Sequence, residues 1–153
     1  MINDYLDALV ESYIFYKVPR WDIKGRKYLK TNAKYYSVDA GLRYMLIGKE
    51  GADAGHILEN VVYLELLRRG YRVSVGTIAG VEVDFYAEKD SGIEYYQVSQ
   101  SILEEATLLR ELKPLSIIDD NYPKFLLTRD FDRSNYKGIQ HINVLDWLLR
   151  NCE

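Results

Sequence analysis

The chain has 153 residues, 48% of them apolar and 28% charged, with a formal net charge of −3. That composition suits one well-buried core, or a small domain with an appendage. It excludes several classes: Cys152 is the only cysteine, His56 and His141 stand far apart, and no apolar run approaches a membrane span. The start, MINDYLDALVES, is acidic and unlike a secretion signal, so a reducing cytoplasm is the expected location.

Asn3 can cap a helix running to about Tyr16, with Leu6, Leu9, Val10, Tyr13 and Ile14 on one face. FYKVPRWDI and KYYSV then read as strands around Gly25, and Pro19 marks the first as an edge. Asp39 predicts the start of a short helix, AGLRYMLIG, ended by Gly48. Helix, basic two-stranded wing and short helix resemble part of a winged-helix unit. The stretch GKEGADAG, residues 48–55, is the expected boundary.

The second part predicts a helix over 54–69 stopped by Gly70, then strands over 71–79, 81–88 and 93–100. A turn at Asp90-Ser91-Gly92 makes the last two antiparallel neighbours. Ile102 to Lys113 reads as a helix broken by Pro114, followed by strands over 124–128 and 139–144 and a short helix over 146–150. This order predicts a mixed sheet with helices packed against it.

Charge is uneven along the chain. Lys17, Arg20, Lys24, Arg26, Lys27, Lys30 and Lys34 meet one acid, Asp22, between positions 17 and 34. That segment carries +6, which leaves −9 on the remainder. Tyr16, Trp21, Tyr28, Tyr35 and Tyr36 are interleaved with it. Such a pattern can neutralise phosphates and stack on bases, although a solvated hairpin has the same letters.

Two features point to a site. On the 54–69 helix Glu65 falls within a broad apolar arc, and Glu59 lies at its edge. A buried carboxylate must be paired, hydrogen-bonded or metal-bound, and Arg68 or Arg69 could satisfy Glu65 as a buried polar group. In the strands, alternation puts Val81, Val83 and Phe85 on one face and Glu82, Asp84 and Tyr86 on the other. Ile93, Tyr95, Gln97 and Ser99 share a face of the next strand. Asp84, Gln97 and Ser99 could therefore converge near a helix glutamate, where a divalent cation would activate water for phosphodiester cleavage.

KYYSVDAGLR, GHILENVVYLELLRRGY, VEVDFYAE and YYQVSQS together resemble the C-terminal domain of a large prokaryotic family of AAA-type ATPases. That domain has no settled biochemical role, and its fold is similar to the PD-(D/E)XK restriction-endonuclease-like superfamily. The resemblance implies an α/β (α+β) chain: a nuclease-like mixed sheet flanked by helices over 51–153, preceded by a winged-helix remnant over 1–50. It matches Glu59 to the family's helix glutamate and Asp84 to its strand aspartate. Gln97 and Ser99 fall where the family's site has Glu and Lys. One carboxylate and the lysine are thus replaced, with Lys89 and Lys124 the candidates for a migrated lysine. Glu59 and Asp84 remain as metal ligands and would hold Mg2+ only weakly.

The chain has no G-x-x-x-x-G-K-[ST], so ATP would bind only in an upstream domain. The chain therefore reads as the C-terminal fragment of a longer ATP-binding protein. The expected function is a non-catalytic accessory domain that binds DNA or a protein partner beside its ATPase domain. The alternatives are a metal-dependent nuclease with a glutamine-containing site, or an oligomerisation module suggested by the aromatic wealth. No membrane partner is expected.

Overall fold

The computed structural model describes residues 2–39, 41, 42, 45 and 54–150. Most of the predicted helix over 40–48 and of the boundary stretch lies outside the described residues, while residues 41, 42 and 45 are helical. Asp39, at the start of that helix, accepts a hydrogen bond from the Gly41 N–H at 2.7 Å, as a cap would.

The chain has an α/β (α+β) architecture built on one mixed sheet. Helix α1 is Ile2–Glu11, and strands β1 and β2 are Phe15–Asp22 and Lys27–Ser37. Helix α2, Ala54–Arg68, leads into β3 (Arg72–Ile78), β4 (Val81–Lys89) and β5 (Gly92–Val98). Then come α3 (Glu105–Ser116), β6 (Lys124–Thr128), β7 (Asn135–Tyr136), β8 (Ile139–Asn143) and α4 (Val144–Leu149). Among the described residues, eight strands run in the order β2-β1-β3-β4-β5-β6-β8-β7. As predicted, β4 and β5 are antiparallel neighbours. The β1–β3, β5–β6 and β6–β8 pairs are parallel.

Each face of the sheet buries its own core. Val62, Tyr63 and Leu66 of α2 and Trp147 of α4 pack on Val75, Phe85 and Leu127. On the other face Leu115 of α3, with Ile118, covers Val83, Tyr86, Tyr95 and Leu126. Burial of these side chains supplies the main driving force. Most of the aromatics work here too, as in the stacked pair Tyr36–Tyr63 with centroids 4.5 Å apart.

Several expectations are corrected by the packing. Helix α1 stops at Glu11 rather than near Tyr16, because Tyr13 takes a left-handed backbone (φ 57°) and Ile14 N–H closes back on Leu9. Strand β1 is internal, between β2 and β3, so Pro19 does not mark an edge. It sits where the β1–β2 register shifts between Val18 and Arg20, a break that needs no N–H from it. The hairpin expected as a wing thus continues the central sheet. Helix α3 runs through Pro114 to Ser116, since the proline falls in the last turn and is itself buried. Helix α2 ends as predicted: Gly70 adopts φ 83°, with Tyr71 N–H bonded to Leu66 O and Gly70 N–H to Leu67 O.

Candidate functional site

Strand β4 departs from simple alternation at the aspartate. Opposite β3 the register passes from Ser74↔Tyr86 to Gly76↔Val83, so β4 contributes one extra residue there. This β-bulge places Asp84 and Phe85 against Val75. Val83 and Phe85, expected on one face, consequently enter opposite cores. On the other side the β4–β5 pairing reaches Phe85↔Tyr96 and goes no further. A cleft of about 470 Å³ opens beyond that point, reached by α2 from one layer and α3 from the other.

Glu59, Asp84, Gln97 and Ser99 all line this cleft, together with His56 and Glu111. Glu59, Asp84, Gln97 and Glu111 are each only 7–9% exposed, so every polar atom among them needs a partner. Asp84 Oδ2 accepts the Val98 N–H at 2.8 Å, bridging the place where the two strands part. The Asp84 N–H, freed from the ladder by the bulge, donates to Gln97 Oε1 at 3.3 Å. Gln97 Nε2 donates to Glu111 Oε2 at 3.0 Å, and Arg110 pairs with the other oxygen of Glu111 at 2.8 Å. Gln97 is therefore a two-way bridge. A glutamate there could accept from Asp84 but would meet Glu111 with like charge.

Sequence reasoning missed the cation of the site. Lys34, assigned to a phosphate-binding segment, turns inward from β2: its Nζ lies 2.5 Å from Glu59 Oε1 and 3.1 Å from Glu82 Oε1. Arg20 takes the second oxygen of Glu82 at 2.5 Å. Burial alone would lower the Lys34 pKa, but Glu59, then Asp84 and Glu82, outweigh it and hold the ammonium charged. The migrated-lysine candidates lie elsewhere. Lys89 sits over the Tyr71 ring, and Lys124 binds the Asp120 carbonyl at 2.6 Å. Only the alternation within KTNAKYYS could have hinted that Lys34 and Tyr36 share a face.

Tyr36 adds its hydroxyl to the same Glu59 oxygen at 2.5 Å. The adjoining Asn60 accepts the Ser37 N–H at 2.8 Å and donates to Ser37 O at 2.9 Å. Glu59 and Asn60 thus clamp the end of β2, Asn60 by a reciprocal pair of hydrogen bonds such as a neighbouring strand would make. His56 Nδ1 stands 3.8 Å from Glu59 Oε2. Ser99 Oγ donates to Ser101 O at 3.2 Å, which uses its hydrogen within its own loop.

Burial, then the charge of Glu59, pushes the Asp84 carboxyl up to about 8, against the opposing pull of the Val98 N–H and Lys34. A divalent cation entering here would have to compete with a proton for Asp84, held to higher pH than on an ordinary carboxyl, and with Lys34 for Glu59. Among the described residues, no group of three or more carboxylate, imidazole or thiolate side chains is placed to hold a metal ion.

Glu65 is satisfied as a structural carboxylate. Arg68 reaches it at 2.7 and 2.8 Å, and Arg69 at 2.7 Å. Of the other basic residues, Lys17 pairs with Asp7 at 2.9 Å. Lys24, Arg26, Lys27 and Lys30 are exposed around the β1–β2 tip. There Asp22 Oδ1 accepts the Gly25 N–H at 2.9 Å, and a Cβ at position 25 would come 2.4 Å from the same carboxylate.

Comparison with known proteins gives two matches. Residues 1–53 match a family described as "Domain of unknown function (DUF8612)". Over 150 residues the chain is 47% identical to an uncharacterized protein of Haemophilus influenzae. That alignment covers 97% of this chain and 37% of the relative, so the chain spans little more than a third of the relative's length. No solved structure matches significantly. Among the described residues, no helix is long and apolar enough to cross a membrane.

Proposed function

We propose that the chain is a cytoplasmic accessory domain of a longer prokaryotic AAA-type ATPase, with a nuclease-like site that no longer hydrolyses and a basic hairpin that binds nucleic acid. The observation that carries the non-hydrolytic half is Lys34 on Glu59 and Glu82. A protein ammonium neutralises carboxylates that a metal-dependent nuclease would keep for its cation. Gln97 and the raised pKa of Asp84 support the same reading, because a neutral amide and a carboxyl that keeps its proton to higher pH than usual are poor ligands for a hard cation. Mg2+ would bind weakly at most. The relative's greater length leaves room for an upstream ATPase domain, the expected partner.

The hairpin contact narrows to Lys24, Lys27 and Lys30 with Arg26, since Arg20 and Lys34 are committed inward. Each phosphate neutralised on duplex DNA contributes a slope of about −0.9 in log affinity against log salt. Replacing Lys24, Lys27 and Lys30 by alanine should flatten that slope and weaken every sequence alike. Fluorescence anisotropy of a labelled duplex at two salt concentrations measures both effects. No binding at low salt would favour a protein ligand or self-association.

A second reading has its own support. Lys34 supplies the positive charge absent at Ser99, and Glu111 brings a further carboxylate to the cleft. This arrangement fits a metal-dependent nuclease with a rebuilt site. Plasmid cleavage in Mg2+ or Mn2+ decides between them. Cleavage abolished by Asp84→Ala and by Lys34→Met would establish the nuclease, and intact plasmid with no calorimetric metal binding supports the accessory domain.

A further inference from the structure

A second cleft lies behind the hairpin tip, on the α3 side of the sheet. It encloses about 590 Å³, within the range of sites that hold a small ligand or one nucleotide. Trp21, Tyr86, Tyr95 and Ile118 are among the residues that line it, and two exposed cations, Lys24 and Arg26, belong to its wall. Trp21 stacks on Tyr86 with centroids 5.4 Å apart and an interplanar angle of 27°. Tyr28 meets the same indole edge-on at 4.8 Å and is 57% exposed.

The opposite wall is weakly acidic. Asp120 is occupied by the Tyr95 hydroxyl at 2.7 Å and by Lys124 at 3.1 Å. Asp119 is the remaining acid, and it confines any bound anion to the Lys24 and Arg26 side. The lip also carries Ala79, whose backbone is left-handed (φ 49°) in the β3–β4 turn ahead of Gly80 (φ 76°). Asparagine or glycine is usual at such a position, and alanine accepts strain there while adding only a methyl group to the lip.

We infer that this cleft receives an unpaired base of a nucleic-acid strand, stacked against Trp21, whose indole is backed by the buried Tyr86, with the adjoining phosphate on Lys24 and Arg26. The inference rests on the nucleic-acid reading above and narrows it to single strands. An aromatic recess with cations on one side suits a base attached to a phosphate. A base inside a duplex would first have to leave its stack to enter.

Trp21 is also the reporter, because the other tryptophan, Trp147, is 3% exposed on the buried face of α4. The experiment titrates the whole chain at low salt with oligothymidylate of about 12 nucleotides and with a duplex of equal length. It reads tryptophan emission and the anisotropy of labelled strands. The single strand should quench Trp21 and bind about tenfold more tightly than the duplex. Arg26→Gly, which suits the left-handed backbone at that position, should weaken single-strand binding, and Trp21→Leu should abolish the quench. Equal binding of both forms with unchanged emission would overturn this inference while leaving the basic hairpin as a duplex contact. Quenching that persists in Trp21→Leu would overturn it as well, and failure of both nucleic acids to bind would overturn the broader reading with it.

Discussion

Helix α2 carries two carboxylates that are handled in opposite ways. Glu65, near its C-terminus, is held by Arg68 and Arg69 one turn further on, and Arg69 in turn stacks on Trp147 at 4.2 Å and reaches its carbonyl. Glu59, near the N-terminus, draws its partners Lys34 and Tyr36 from β2, a strand of the N-terminal segment. The first arrangement closes a helix end. The second joins two parts of the chain and leaves a cleft open beside it. A local pair stabilises an element, whereas a distant one also fixes where that element sits.

The largest test of the contrast is at Asp84. Its folded pKa, about 8, lies above the ordinary value of 3.8, so the native state binds the extra proton between those limits. Stability from this group is therefore complete below about pH 4 and is lost as pH rises towards 8. Asp84→Asn keeps an oxygen for the Val98 N–H and removes the titration. The variant should gain on the native protein between pH 5 and 9 by more than about 4 °C in Tm, the most that 1 kcal/mol yields at this chain length. Thermal melts across that range check it, and parallel pH courses would show that the carboxyl ionises normally.

Next comes Lys34→Met, which strands Glu59 and removes one partner of Glu82. Breaking a buried pair in this way costs on the order of 3 kcal/mol, read as a lower urea midpoint. A loss under about 0.5 kcal/mol would place Lys34 with ordinary surface pairs. Asn60→Ala follows, leaving the Ser37 N–H and carbonyl without their side-chain partner, at about 2 kcal/mol. Hydrogen exchange at the end of β2 should quicken in that variant more than elsewhere. The smallest effect belongs to Arg68→Ala at the closed end of the helix. Arg68 is well exposed and Arg69 remains, so the change should stay within about 0.5 kcal/mol. A larger loss would mean that the closed end depends on both arginines.

Nearest-neighbour chemistry was legible in advance. Glu65 with Arg68 and Arg69, the Gly70 stop and the β4–β5 turn all involve residues within a few positions of one another. Alternation in one hairpin anticipated Asp84 and Gln97 beside a helix glutamate, while the choice of Glu59 over Glu65 came from the family resemblance and not from periodicity. The facing of Val83 and Phe85 was misread. Alternation assumes an unbroken ladder, and nothing in VEVDFYAE announces the residue inserted opposite Val75. Pro19 was misread for a related reason: proline reports a missing N–H, and it cannot say whether an edge or a register break accommodates it.

The sequence by itself determined the order of the main elements, apart from the short β7, and the basic character of the hairpin tip. These depend on side-chain periodicity and on residues close together in the chain. Tertiary structure alone decided which basic residues face solvent and which, like Lys34, turn inward onto carboxylates. It also decided that Gln97 bridges Asp84 to Glu111 and that the hairpin extends the sheet beside β3. Each of these choices pairs residues from separate elements. Burial forces such groups to find partners, and the packed sheet dictates which partners lie within reach.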